Sequence, residues 1–312
     1  MRDRLITIAA SVAVGLCLLA VYHFLYHHRP AGDAISSASQ SSAGHLPVPP
    51  AGPTFADSNQ NPISAQEAFE RILAAAEAGS TSAMINVAEF YGNGWAVRQD
   101  FTQRFQWLEK AAKAGDSRGA YLTGQALELG LGVTVDQAAA MRAFEQAAGL
   151  GLPAAHFRLA QGLLAGPEAD PLRAVVHLEE ALASGLPQAA NMLGILYLQG
   201  AGNLEADAGK ARLALQKGAD LADPEALKNL AVMYKEGWGG PADPAQALKW
   251  YLAAREAGWR GEDIEGTLAE LEGQAGAQAA KEAEAEARAW LADRRPPAEA
   301  SSNSHNSEAM KY

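Results

Sequence analysis

Apolar residues between Ala83 and Gly258 recur at helical spacing, and the whole pattern then repeats five times at a longer period. Each unit opens on a small residue: Ala83, Gly119, Ala155, Ala189 and Ala226, spaced 36, 36, 34 and 37. Four positions on come Val87-Ala88, Thr123-Gly124, Leu159-Ala160, Leu193-Gly194 and Leu230-Ala231, followed by Tyr91, Leu127, Leu163, Tyr197 and Tyr234. These offsets place the residues on one face of a first helix. A second helix carries Trp107, Ala143, His177, Ala214 and Trp250 at one shared place. A period near 36 predicts stacked units that bury together a core none could bury alone.

The turns between the two helices read Gly94-Trp95-Ala96, Gly130-Leu131-Gly132, Gly200-Ala201-Gly202 and Gly237-Trp238-Gly239, while the third unit keeps only Gly166. Asp100, Asp136, Asp170, Asp207 and Asp243 then precede the second helices, where a carboxylate accepts from unpaired first-turn N–H groups. Gly115, Gly151, Gly185 and Gly258 stand where a left-handed C-terminal cap belongs, and the fourth unit offers Ala222 instead.

The run Ala-x-x-x-Val/Leu-Gly/Ala-x-x-Tyr-x-x-Gly-x-Gly, then Asp, then Lys-Ala-x-x-Trp-x-x-Lys-Ala-Ala resembles the Sel-one-like repeat, a relative of the tetratricopeptide repeats. The resemblance covers roughly Ser82 to Gly258. It implies an all-α fold, a right-handed superhelical solenoid of antiparallel helix pairs. It also implies an adaptor or assembly scaffold, often in bacterial envelopes, with no common catalytic residue to carry over. Thr123, the truncated turn at Gly166 and Ala222 depart from the pattern.

Flanking segments suit a tethered solenoid. Leu5 to Leu25 has no formal charge and is long enough to cross a bilayer, so residues 1–29 read as a transmembrane anchor. A cleaved signal peptide is the alternative, though the apolar run exceeds the usual signal core and no small-x-small site follows. Arg2 and Arg4 precede the span while only Arg29 follows through residue 70, which predicts a cytoplasmic N-terminus and a periplasmic repeat domain at the bacterial inner membrane. Residues 30–62, rich in Pro, Ser, Ala and Gly, read as a disordered linker. Residues 63–81 read as an N-terminal capping helix, 82–259 as five repeats, 260–295 as C-terminal capping helices and 296–312 as a disordered tail.

The formal net charge of −11 argues against nucleic acid, whose phosphates require a basic surface. Cys17, the only cysteine, lies in the proposed span, so no intramolecular disulfide forms. No catalytic constellation, cofactor motif or metal-ligand spacing emerges. His177 occupies the slot of Trp107 and Trp250 and reads as a packed helix residue, and the Gly-x-Gly turns follow helices rather than strands. The expected partner is a protein or peptide bound along the first helices, at Asn86, Glu89, Gln125, Arg158, Asn191 and Lys228. Trp95 and Trp238, at the middle of the outer turns, are either interface anchors or plugs for the solenoid ends. Two functions fit: a membrane-tethered scaffold, or a periplasmic regulator that holds a sensor or cell-wall enzyme inactive.

Overall fold

A computed structural model of the chain describes residues 53–56, 60–165, 169–261 and 264–294. The proposed anchor, most of the proposed linker, the Gly166 turn and the C-terminal tail lie outside the described residues. Among the described residues, no helix is long and apolar enough to cross a membrane.

A lone helix α1 (Ala65–Glu77) is followed by five helix pairs. The first helices are α2 (Thr81–Asn93), α4 (Ser117–Leu129), α6 (Pro153–Leu164), α8 (Gln188–Gln199) and α10 (Pro224–Glu236). Each is paired with a second helix: α3 (Phe101–Lys113), α5 (Gln137–Gly149), α7 (Pro171–Ala183), α9 (Ala208–Asp220) or α11 (Pro244–Glu256). Two further helices, α12 (Ile264–Ala275) and α13 (Ala277–Arg294), close the C-terminal end.

The five spaced Asp residues all cap second helices, each accepting from a backbone N–H two or three residues on, as Asp100 does from Thr102 and Gln103. Ser64, Ser80, Asp116 and Asp223 cap α1, α2, α4 and α10 in the same way. Left-handed backbone follows the second helices at Gly115, Gly151, Gly185 and Gly258. Ala222 adopts the same conformation, with φ 56°, although its Cβ opposes it. The second glycine of a turn lies over the previous unit. A Cβ on Gly132 would strike the Phe101 carbonyl at the start of α3, and one on Gly239 would come within 2.5 Å of the Ala208 carbonyl at the start of α9.

Burial divides into three clusters along the stack. The first joins Phe55, Phe69, Ile72, Val87 and Phe90 to Trp107 and Leu108, and the second centres on Phe144, Ala147 and Leu159. The third runs from Ala160 through Leu178, Leu193, Leu215 and Leu230 to Leu268, Leu271 and Leu291 of the closing helices. Trp290 of α13 meets Trp250 edge-on at 5.2 Å, and Leu268 and Leu271 of α12 join the same buried cluster, so the last repeat unit packs against both closing helices.

Described residues at the end of the segment read as a linker form a strand pair instead: β1 (Phe55–Ala56) pairs antiparallel with β2 (Pro62–Ile63). Phe55 stacks on Phe90 at 5.2 Å and is buried. The composition of residues 30–62 averages away this single aromatic, and burial of one ring against an aromatic cluster holds the short hairpin.

Candidate protein-interaction surface

The six first-helix residues Asn86, Glu89, Gln125, Arg158, Asn191 and Lys228 are all half-buried, on α2, α4, α6, α8 and α10. The structure ties them into separate groups. Glu89 pairs with Arg104 of α3 at 3.7 Å, within the first unit. Arg158 reaches back one unit to pair with Glu128 of α4, donates to Gln161 at 2.9 Å, and lies over the Phe144 ring at 5.7 Å.

Asn191 and Lys228 belong to a directed chain across the last two units. Lys228 Nζ donates to Asn229 Oδ1 at 3.0 Å, and Asn229 Nδ2 donates to Asn191 Oδ1 at 3.0 Å. Asn191 Nδ2 then donates to Asp223 Oδ1 at 3.1 Å, the same oxygen that caps α10 through the Ala226 N–H. Every amide in the chain is oriented by its neighbours, so α8 and α10 are held in one register. Asn229, Glu128 and Gln161 were missed. Asn229 stands three residues after the small opener of its unit, as Asn86 and Arg158 do, and strict alignment of the repeats identifies it. The side chains of Asn86 and Gln125 make no hydrogen bond to any described residue, which leaves two carboxamides with both donors and acceptors available.

The two turn tryptophans part ways. Trp95 meets Phe90 edge-on at 5.8 Å and Phe55 at 6.4 Å, and so seals the N-terminal aromatic cluster. Trp238 leaves 46% of its surface exposed. Its turn is fixed from behind: Arg212 Nη2 donates to the Trp238 carbonyl at 2.8 Å while its guanidinium stacks on Tyr234 at 4.5 Å. A rigid backbone beneath an exposed indole is suited to anchoring a partner at low entropic cost.

Ion pairs and hydrogen bonds link side chains of different helices. Lys235 of α10 and Glu270 of α12 bond at 2.9 Å, which raises the lysine pKa and lowers the carboxyl pKa. Tyr197 donates to Glu179 of α7 at 2.8 Å, and burial together with that bond pushes its phenol up to about 12. Among the described residues, no three or more metal-ligating side chains come together. The arrangement is equipped for hydrogen bonding and apolar contact along a stacked helical face.

Five consecutive stretches, residues 81–116, 117–152, 153–186, 187–223 and 224–259, each match the Sel1 repeat. Among curated proteins, the exopolysaccharide production negative regulator of Rhizobium leguminosarum bv. viciae is 34% identical over 152 residues, covering 43% of this chain and 57% of that protein. Chitin synthase regulatory factor 3 of Schizosaccharomyces pombe is 29% identical over 199 residues, covering 59% of this chain and 21% of that protein. The chain thus spans between about a fifth and just over half the length of these relatives. A crystal structure of a Sel1 repeat protein from Oxalobacter formigenes superimposes with a TM-score of 0.56 at 24% identity, covering 74% of this chain and 94% of that one.

Proposed function

Because the chain belongs to the Sel1 repeat family, a protein-interaction fold and not an enzyme family, we propose that it is a scaffold tethered to the bacterial inner membrane by Leu5–Leu25. Its repeat domain stands in the periplasm and binds a protein or peptide segment. The exposed Trp238 on a braced turn carries this reading, because large rigid aromatics dominate binding energy where partner surfaces meet. The free carboxamides of Asn86 and Gln125 on the first helices extend the same argument to a second contact zone.

Placing a photocrosslinking residue at Trp238 in intact cells, and at Gln125 in parallel, tests the proposal. Capture of one discrete partner from Trp238 supports it, whereas crosslinks no richer than those from an exposed control such as Lys113 refute it. Trp238→Ala is expected to weaken capture while leaving the melting temperature nearly unchanged. A cytoplasm-specific reporter fused after Gly52 is expected to stay silent, and strong activity overturns the periplasmic placement.

The second reading is regulatory. The names of the relatives, a negative regulator of exopolysaccharide production and a chitin synthase regulatory factor, favour it. On that reading the solenoid holds a sensor or cell-wall enzyme inactive. Its deletion then switches on an output while the partner persists, whereas loss of a scaffold disperses the assembly.

A further inference from the structure

His156 in the first turn of α6 and His177 in the middle of α7 face each other across the third helix pair. Their Nδ1 atoms stand 3.1 Å apart, with ring centroids at 5.3 Å and planes inclined by 45°. Both rings are half-buried, so each is held by its helix yet reached from solvent. Without a ligand, one Nδ1–H donates to the other ring's lone pair.

A separation of 3.1 Å is also an edge of a metal coordination polyhedron. With metal–nitrogen bonds of about 2.05 Å, it subtends about 98° at the metal, between the roughly 90° of square or octahedral sites and the roughly 109° of tetrahedral ones. Binding a cation breaks the hydrogen bond between the two nitrogens, and both rings then have to reorient so that each lone pair faces the cation while the nitrogens stay about this far apart. The ring that carried its proton on Nδ1 shifts it to Nε2 through solvent, so a neutral pair loses no net proton on binding.

We propose that His156 and His177 form a two-nitrogen chelate for a divalent transition cation of the imidazole-preferring class, Cu²⁺ or Zn²⁺, with water completing the coordination. The charges that act on His177 are mixed. Glu145 of α5 and Glu180 of α7 favour a cation, and Arg173 of α7 opposes it. The bound cation staples α6 to α7 in the unit with the shortest spacing, 34 residues to the next opener. That unit is where the middle and C-terminal cores meet, at Leu159 and Ala160.

Thermal unfolding of the full chain, first in chelator and then with CuCl₂ or ZnCl₂, tests the site. The wild type is expected to gain several degrees, Cu²⁺ more than Zn²⁺ and Mg²⁺ not at all. His156→Gln and His177→Gln are each expected to erase the gain relative to their own metal-free melting temperature. No gain in the wild type, a gain with Mg²⁺, or a gain that survives either substitution overturns the proposal. A second measurement removes dependence on those variants. With His23, His27, His28, His45 and His305 replaced by Ser, the electron paramagnetic resonance spectrum of bound Cu²⁺ is expected to show two imidazole nitrogens. A spectrum without them refutes the chelate.

Discussion

Gly124→Ala probes how closely the two helices of one unit approach. The Phe144 ring rests on the bare backbone of Gly124, and a Cβ built there falls 2.6 Å from Cε1 and 2.8 Å from Cδ1. Phe144 cannot easily retreat, because Tyr121 packs at 5.5 Å and the Arg158 guanidinium lies at 5.7 Å. Overpacking of this kind costs about 1–3 kcal/mol. Contacts as short as 2.6 Å put the cost in the upper half of that range, and replacing glycine by alanine inside a helix returns up to about 1 kcal/mol, so the net loss is about 1–2 kcal/mol.

Two of the other units suggest the rescue. At the same two places the first carries Ala88 with Leu108 and the third Ala160 with Leu178, while the fourth has Gly194 with Leu215 and the fifth Ala231 with Tyr251. Phe144→Leu alone gives up buried area worth roughly 1 kcal/mol. Combined with Gly124→Ala it recreates the pair used elsewhere, and the double variant is expected to be more stable than the sum of the single effects by about 1 kcal/mol or more. Urea unfolding followed by circular dichroism reads the midpoints. Hydrogen exchange of the α4 and α5 amides locates the loss, because solenoid stability is a sum of unit and interface terms. A Gly124→Ala variant as stable as the wild type, or strictly additive effects in the double variant, refutes the steric account.

Ala222→Gly relieves a left-handed alanine that costs roughly 1 kcal/mol, partly offset by greater freedom of the unfolded chain, so a melting temperature higher by about 1–3 °C is expected and a decrease contradicts it. Phe55→Ala removes the ring that fastens the hairpin to Phe90 and Trp95; about 2 kcal/mol of local stability is expected to be lost, read as faster exchange in α1 and α2 and red-shifted tryptophan emission, with unchanged exchange as the refuting result. Tyr197 ionises near pH 10 when unfolded but only near 12 when folded, so unfolding releases a proton between those values and stability falls as pH rises through that window. Tyr197→Phe is expected to flatten this alkaline decline, and an identical decline in the variant rules out the phenol as its source.

What could be read from sequence was whatever the helical period repeats. The five Asp caps and the small openers recur once per unit because each performs one local task, and local tasks leave local signatures. Contacts between units leave none of that kind. Arg158 meets Glu128 thirty residues away, at places that differ by six within their units, and Asn229 meets Asn191 thirty-eight away, at places that differ by one. The two turn tryptophans show the same limit from the other side. Trp95 and Trp238 occupy one place in the pattern, yet Phe55, supplied from outside the repeats, packs edge-on against the first, and among the described residues no such ring reaches the second. Identical repeat positions therefore diverge in use according to what the flanking chain brings to them. A repeat-derived list of binding residues has to be weighed unit by unit against its neighbours, which is why Trp238 and not Trp95 is the residue to substitute first.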